Sequence, residues 1–322
     1  MIKTGLVFGK FLPLHKGHLA LIDFALGQCE KVIVSMSFTP QDPISPDIRF
    51  AWLQQIFGEN PRVELALEPD DFHNPALPLF EATALWAVFI KKRFPNIKAF
   101  FCSENYGQPL AQHLGIPCVL FDINREKFPI SATQIRQKPF KYWAFIPTVV
   151  RPFFVKKVCL FGPESVGKST LSRQLATFYD TQFVHEVARD VVTSNDFDIN
   201  DIIKIGHAQQ QAIHHKTLIA NKLLFCDTDL ITTQIYSEYY LQQIPPVLYD
   251  LEKACNFDQY FLLNIDVPWV ADGLRDLGHK RQEMYQIFKQ ALLNRNINFI
   301  DVSGDWQTRQ NIVKATIDTW FS

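Results

Sequence analysis

The chain has 322 residues, 47% of them hydrophobic, and this length and composition predict two globular domains of ordinary size. Its 32 Lys and Arg residues against 33 Asp and Glu residues leave a net charge of -1, without the basic surface of a nucleic-acid-binding protein. No apolar run approaches the roughly 18 residues of a membrane span. The six cysteines lack Cys-x-x-Cys spacing, which favours reduced thiols and a cytoplasmic protein.

Short apolar runs typical of buried parallel strands alternate with segments of helical periodicity. The runs are 5–8, 32–36, 99–102 and 119–121 in the first half, and 158–161, 223–226, 260–263 and 299–302 in the second. This alternation predicts a doubly wound α/β domain followed by a second α/β domain with a parallel sheet. The aromatic stretch 140–155 contains two prolines, so we place the boundary there, with domains over 1–150 and 151–322.

The first motif follows the first predicted strand. Residues 9–18 read Gly-Lys-Phe-Leu-Pro-Leu-His-Lys-Gly-His, a G-x-F-x-P-x-H-x-G-H pattern, and a helix is expected from near His18 to about Cys29. His15 and His18 would face an anion at the helix N-terminus, which free amides and the helix dipole favour. Alternatively, one histidine caps the helix and the other packs, but the whole pattern favours the functional interpretation.

A second polar segment of this half is 130–136, Ile-Ser-Ala-Thr-Gln-Ile-Arg. Ser131 and Gln134 have capping-box spacing, which alone would indicate only a well-capped helix. Beside the histidine motif, the segment predicts further phosphate ligands. Arg49 and Trp52 are candidates for the second substrate, although such a pair at helical spacing more often covers the edge of a core.

The strongest motif of the second half is 162–170, Gly-Pro-Glu-Ser-Val-Gly-Lys-Ser-Thr, which fits the phosphate loop G-x-x-x-x-G-K-[ST] and follows an apolar run. Its amides would hold a β-phosphate, Lys168 would reach the β and γ oxygens, and Ser169 would bind Mg²⁺. The predicted ATP-binding residues of this loop are Gly162, Glu164, Ser165, Val166, Gly167, Lys168, Ser169 and Thr170.

Asp227 follows the apolar run 223–226, where a phosphate-loop kinase needs a carboxylate for magnesium or for taking a proton from the acceptor hydroxyl. Asp229 either binds substrate or caps the helix that starts at Leu230. The second interpretation is as strong as the first, because Asp often fills such a cap.

Two other charged segments offer candidates. Glu186 and Arg189 either bind the sugar of the acceptor or form a surface pair. The stretch 269–281 suits a mobile lid over the phosphates, with Arg275 as an ATP ligand, and a solvated loop is the alternative.

The first half resembles the HxGH nucleotidyltransferase superfamily on 9–18, 103–107 and 130–136. The resemblance implies a Rossmann-like domain in which His15 and His18 contact ATP phosphates and stabilise charge during attack on the α-phosphorus, without a covalent intermediate. The other ATP-binding residues that it implies are Gly9, Lys10, Phe11, Ser103, Tyr106, Ser131, Thr133 and Arg136.

The order of the two halves, with the segments 226–236 and 268–275, resembles the NadR family. That family joins nicotinamide mononucleotide adenylyltransferase to ribosylnicotinamide kinase. The resemblance implies that ATP and Mg²⁺ convert nicotinamide riboside to the mononucleotide, and that a second ATP converts the mononucleotide to NAD. Enteric relatives carry an N-terminal helix-turn-helix repressor. This chain begins directly with its first strand, so we expect neither repressor activity nor nucleic-acid binding.

Alternative hypotheses stay open at this point. One is a single-activity adenylyltransferase whose phosphate-loop domain senses a nucleotide or phosphorylates another nucleoside. Another is a non-enzymatic regulator docked on a riboside transporter, against which the intact His15, His18, Lys168 and Asp227 argue. Functional coupling to a membrane riboside transporter and assembly into a homo-oligomer are hypotheses about partners.

Overall fold

The computed structural model describes residues 1–72, 74, 76–192, 196–270 and 276–321. The chain divides into two compact units, Met1–Val150 and Arg151–Ser322, each with a five-stranded parallel sheet. Within the described residues, no helix combines the length and apolar character needed to span a bilayer.

The first unit alternates strands and helices along the chain. Its elements are β1 (Ile2–Gly9), α1 (Lys16–Leu26), β2 (Cys29–Phe38), α2 (Pro46–Phe57), β3 (Val63–Pro69), α3 (Leu79–Arg93), β4 (Ala99–Cys102), α4 (Gly107–Leu114), β5 (Cys118–Leu120) and α5 (Ala132–Gln137). The sheet order is β3-β2-β1-β4-β5, so the chain moves outward from β1 in both directions. That order creates a switch point at the carboxyl ends of β1 and β4, where open α/β sheets bind ligands.

The strands of this sheet approach closely at its centre. An added Cβ at Gly5 would lie 2.6 Å from Cys29 Sγ and 2.7 Å from the Phe101 ring, so only glycine fits there. Leu6, Phe100 and Ile90 are fully buried in the core that packs against β1 and β4.

The second unit repeats the alternation. Its elements are β6 (Lys156–Phe161), α6 (Lys168–Phe178), β7 (Gln182–Val184), α7 (Ala188–Val191), α8 (Ile199–Ile219), β8 (Leu223–Cys226), α9 (Leu230–Leu241), α10 (Val247–Ala254), β9 (Gln259–Leu263), α11 (Arg281–Asn294), β10 (Phe299–Val302) and α12 (Trp306–Asp318). The sheet order is β10-β9-β6-β8-β7. β6 is central, and its neighbours are β8 and β9. The predicted fold class is confirmed in both halves.

Some predicted boundaries were wrong. α1 begins at Lys16 rather than near His18, and it ends at Leu26, because Cys29 already opens β2. Two strands were not predicted at all, β3 and β7, and each lies at an edge of its sheet. Their side chains are only partly buried, so neither shows the continuous apolar run of a central strand.

Candidate functional sites

The histidine motif forms the turn between β1 and α1. His15 is the N-cap residue of α1, and its backbone amide donates to Nδ1 of His18 at 3.3 Å. The two imidazole rings stack with centroids 3.6 Å apart. Both predicted histidines are therefore held together at the start of the helix, where free backbone amides favour an anion.

Both imidazoles are neutral in the free protein. Burial lowers the pKa of His15 to about 3, and the nearby Arg125 lowers it further. Burial lowers the pKa of His18 well below its ordinary value, with His15 and Arg125 as additional causes. Neutral imidazoles can donate an N–H to a phosphate oxygen without carrying a proton into the site.

The second motif lies against the first. The Arg136 guanidinium donates to the Leu12 carbonyl of the histidine turn and, at 3.2 Å, to Thr133 Oγ1. Ser131 and Gln134 form the predicted capping box at the start of α5. The tertiary structure therefore joins two motifs that are far apart in the sequence.

A cavity opens at the carboxyl ends of β1 and β4. The predicted residues that line it are Gly9, Lys10, Phe11, His18, Ser103, Tyr106 and Arg136. The Tyr106 hydroxyl donates to the Phe8 carbonyl at 2.6 Å, which fixes the segment after β4 against the end of β1. His15, Ser131 and Thr133 do not line the cavity directly.

Sequence analysis missed several residues of this site. Trp86 of α3 lines the cavity, and its ring packs 4.3 Å from the ring of Phe8 and 4.7 Å from that of Phe72. Arg125 donates to Glu104 Oε1 at 2.7 Å and to the Ile130 carbonyl at 2.5 Å, and so joins three segments of the site. No recognised motif contains Trp86 or Arg125, so only their spatial placement identifies them.

Arg49 and Trp52 occupy a different position from the one expected for substrate ligands. Arg49 is fully buried, and its guanidinium donates to Asp42 at 2.8 Å and to the carbonyls of Ile44 and Lys10 at 3.0 and 2.5 Å. Neither residue lines the cavity. This placement favours the packing alternative. Arg49 braces Lys10, which does line the cavity.

The phosphate loop connects β6 to α6. Gly162 and Gly167 have φ angles of 141° and 90°, a region that favours glycine. An added Cβ at Gly167 would also lie 2.4 Å from the Trp306 ring. Lys168 is only 7% exposed, and its ammonium donates to the Gly162 and Pro163 carbonyls at 2.9 Å each. The loop thus has the conformation that the motif predicts.

Asp227 stands at the carboxyl end of β8, facing the loop. It is 1% exposed, and the Ser169 side chain lies near enough to influence its pKa. Burial raises the pKa of its carboxyl to about 7, with Lys168 opposing the shift and Glu186 adding to it. Its Oδ1 has no hydrogen-bond partner within the described part of the chain.

This donor set fits magnesium. Mg²⁺ is usually held by one or two carboxylates together with substrate phosphates, and the hydroxyl of Ser169 beside the free oxygen of Asp227 supplies such ligands. The described residues contain no group of three or more His, Cys, Asp or Glu side chains that would form an all-protein cage for a metal. The arrangement therefore suits a metal that arrives with a nucleotide.

Asp229 caps α9, as one of the two interpretations proposed. Its carboxylate accepts from the Thr232 amide at 3.0 Å and from the Tyr260 hydroxyl at 2.8 Å. Burial raises its pKa to about 6. Neither Asp227 nor Asp229 lines the cavity next to the loop, and the structural role of Asp229 is supported by its contacts to Thr232 and Tyr260.

The cavity beside the phosphate loop brings most of the predicted kinase residues together. Glu164 to Thr170 line it, and so do Glu186 and Arg189, whose side chains pair at 3.3 Å. Arg275 lies outside the described residues. The lining residues that had not been singled out from the sequence include Phe197, Gln209 and Tyr240.

Arg309 of α12 is a further residue that no motif signals. It is fully buried, and it donates to the carbonyls of Val166 at 2.7 Å and of Asn264 and Gly304 at 2.9 Å. Asp266 pairs with the same guanidinium. Arg309 therefore ties the phosphate loop to the ends of β9 and β10.

Comparison with known proteins gives extended matches. The Escherichia coli trifunctional NAD biosynthesis/regulator protein NadR is 36% identical over 94% of this chain and 79% of its own length. This chain belongs to the NadR family. The Salmonella typhimurium protein of the same name is 34% identical over 92% of this chain and 78% of its own length. Membership of the family is consistent with two nucleotide sites in one chain.

Other matches cover single halves or show the fold. A nicotinamide-nucleotide adenylyltransferase of Thermococcus kodakarensis is 25% identical over 43% of this chain and 73% of its own length. An AAA domain model matches 157–309. A crystal structure of NadR protein in complex with NAD and AMP-PNP superimposes with a TM-score of 0.83 at 21% identity, covering 100% of this chain and 97% of the other, which supports the fold.

Proposed function

We propose that this chain synthesises NAD in two steps. The second unit phosphorylates nicotinamide riboside with ATP, and the first unit joins the resulting mononucleotide to AMP from a second ATP, releasing pyrophosphate. The observation that carries the proposal is the presence of two separate phosphate sites, at the carboxyl ends of β1 and β6, in a member of the NadR family. The nicotinamide-nucleotide adenylyltransferase similarity of the first half supports the assignment of the reactions.

In the kinase step the loop residues position the triphosphate. Lys168 lies within the loop, from which its ammonium can reach the β and γ oxygens once a nucleotide replaces its contacts to Gly162 and Pro163. Asp227 accepts the proton of the acceptor hydroxyl as the oxygen bonds to the γ-phosphorus and ADP leaves. Its place beside the loop supports this role, whereas its raised pKa belongs to the metal-free protein and would be lowered by bound Mg²⁺.

Ser169 and Asp227 would hold Mg²⁺, which supplies neutralisation of phosphate charge when bound. The Ser169 hydroxyl already lies near the Asp227 carboxyl group, since it influences the pKa of that group.

In the adenylyl step no side chain acts as a nucleophile. A phosphate oxygen of the mononucleotide attacks the α-phosphorus, and the bond to pyrophosphate breaks. His18 and the neighbouring His15 donate N–H groups to the oxygens that gain charge, and Arg136 is placed beside the histidine turn to bind the outer phosphates. The aromatic face of Trp86 offers a surface for the pyridine ring.

One incubation tests both steps. The purified chain is mixed with Mg²⁺, ATP and nicotinamide riboside, and the products are separated over time. We expect the mononucleotide first and NAD afterwards, with ADP and pyrophosphate. If NAD forms only when the mononucleotide is supplied, the second unit is a sensor or a kinase for another nucleoside, as the alternative hypothesis states.

The compartment and the partners belong to the same proposal. All six cysteines are free thiols, which supports a reducing compartment such as the cytoplasm. Coupling to a riboside transporter and self-association stay predictions. Riboside uptake in cells that carry a Lys168→Ala variant would test the former, and sedimentation analysis would test the latter.

A further inference from the structure

The cavity beside the phosphate loop is lined by buried polar atoms that the described part of the protein does not satisfy. They are Glu164 Oε2, Gln209 Nε2, Thr228 Oγ1 and the Tyr236 hydroxyl. Gln209 is 1% exposed and Thr228 is 4% exposed, so these are interior groups rather than surface ones. A buried polar atom without a partner costs about 1–3 kcal/mol. The cavity is therefore built to hydrogen-bond a polar ligand.

The cavity is lined by two carboxylates and two cations, and a further carboxylate, Asp276, lies near Glu164. Glu164 and Glu186 line it, and Glu164 interacts electrostatically with Glu186 and with Asp276. Burial, together with these two carboxylates, raises the pKa of Glu164 to about 7. Two cations lie nearby, but Lys168 contacts the loop carbonyls and Arg189 pairs with Glu186. A positively charged ligand would relieve the repulsion among the carboxylates.

Aromatic rings form another part of the wall. Phe197, Tyr236 and Tyr240 all line the cavity. The rings of Tyr236 and Tyr240 stack at 6.3 Å, and Phe197 meets Tyr240 edge-on at 5.5 Å. Ring faces carry negative potential, so they attract a flat cation, and nearby carboxylates strengthen that attraction.

We propose that this cavity selects a nucleoside whose aromatic base carries a permanent positive charge, and that Glu164 and Glu186 are the residues that impose the selection. The inference rests on the proposed riboside kinase function and adds the basis of its specificity. An N-glycosylated pyridinium meets the requirement. The corresponding nicotinate riboside, whose carboxylate cancels the charge of the ring, is expected to be a poorer substrate.

The position of Glu164 supports this role. The Leu277 amide lies near its carboxyl group and lowers its pKa, whereas Oε2 has no hydrogen-bond partner in the described structure. Glu164 also interacts electrostatically with Tyr236. Oε2 of Glu164 is thus available to a ligand beside an aromatic ring.

The test compares two ribosides that differ in charge but hardly in size. Nicotinamide riboside is cationic, and its 1,4-dihydro form is neutral with the same sugar and amide. ADP formation is measured with the full chain, ATP and Mg²⁺ at pH 8, where Glu164 is ionised. We expect kcat/KM to be roughly 10-fold or more higher for the cation, which corresponds to about 1.4 kcal/mol.

The variants assign the preference to named residues. Glu164→Gln and Glu186→Gln should each lower kcat/KM roughly 10-fold more for the cationic riboside than for the neutral one, because each removes a charge and keeps the shape. Glu238→Gln removes an exposed carboxylate from α9, the helix that carries Tyr236, and should keep the wild-type ratio. Adenylyltransferase activity and thermal unfolding confirm that each variant is folded.

The outcomes separate this inference from the function on which it rests. Equal kcat/KM for both ribosides in the wild type, or an equal loss with both ribosides in Glu164→Gln and Glu186→Gln, would overturn the charge selection and leave the kinase in place. If the wild type phosphorylates neither riboside, the kinase function itself is overturned. A charge preference that collapses in these variants supports both.

Discussion

The two phosphate sites occupy equivalent places in two similar sheets, yet their titratable groups shift in opposite directions. In the first unit burial lowers the pKa of His15 and His18, and in the second it raises the pKa of Glu164 and Asp227. Burial disfavours the charged form in every case, and the sign depends only on whether the group is a base or an acid. One physical cause therefore gives neutral N–H donors in one site and a proton acceptor poised near pH 7 in the other.

The independence of the two sites is tested by disabling each of them separately. His18→Ala should lower NAD formation from the mononucleotide by roughly 100- to 1,000-fold, the usual loss when a donor to developing charge is removed. Lys168→Ala should lower riboside phosphorylation by a similar order and leave the adenylyl step unchanged. Each variant is assayed in both half-reactions by product chromatography. Loss of both activities from either change would contradict two independent sites.

The next largest effect is expected at Arg309. Arg309→Met leaves Asp266 and three carbonyls without their buried donor, so the free energy of unfolding of the second unit should fall by about 3–5 kcal/mol. Arg309→Lys keeps the charge but not the fork of donors, and it should raise KM for ATP in the kinase assay more than it lowers kcat. The adenylyl step is the internal control. An unchanged KM for ATP in Arg309→Lys would show that Arg309 does not position the loop.

The opposite pKa shifts predict opposite responses of stability to acid. His15 binds no proton in the folded chain until about pH 3 but titrates near 6.5 when unfolded, so it costs stability as pH falls below 6.5, about 1.4 kcal/mol at pH 5.5. Glu164 binds a proton near pH 7 when folded and near 4.5 when unfolded, so it adds stability as pH falls between those values.

Two substitutions separate these contributions. Relative to the wild type, His15→Gln should gain stability on acidification from pH 8 to pH 5.5, and Glu164→Gln should lose it. Denaturant unfolding of the wild type and both variants at the two pH values measures the difference. Shifts of the same sign in the two variants would refute the comparison.

The helix caps of the two sites are also expected to differ in their contribution to stability. Ser131→Ala removes an exposed cap of α5 and should cost about 1 kcal/mol. Asp229→Ala removes a buried cap of α9 and leaves the Tyr260 hydroxyl without its acceptor. It should lower the free energy of unfolding by about 2–3 kcal/mol. Thermal unfolding of both variants, with riboside phosphorylation of Asp229→Ala, tests this. A loss of kinase rate without a loss of stability would indicate that Asp229 binds substrate rather than capping α9.

The sequence predicted central strands better than edge strands. The runs 99–102 and 223–226 coincide with the interior strands β4 and β8, and every interior strand was predicted, whereas of the four edge strands only β5 and β10 were predicted. β3 and β7 were not predicted, because an edge strand packs against fewer neighbours and needs no continuous apolar run. The predicted ends of α1 were also wrong. The start of this helix is set by the backbone geometry of the turn at His15, which the sequence alone does not reveal.

By itself the sequence determined the fold class, the histidine motif, the phosphate loop and the order of the two units. These depend on local patterns of apolar runs, glycines, histidines and charged side chains. The tertiary structure decided which residues meet. Arg136 reaches the histidine turn, Arg309 holds the phosphate loop, and Tyr236 lines one cavity with Glu164 only because packing against the sheets brings these helices and loops together. Contacts between residues so far apart in the chain leave no local pattern from which they could be predicted.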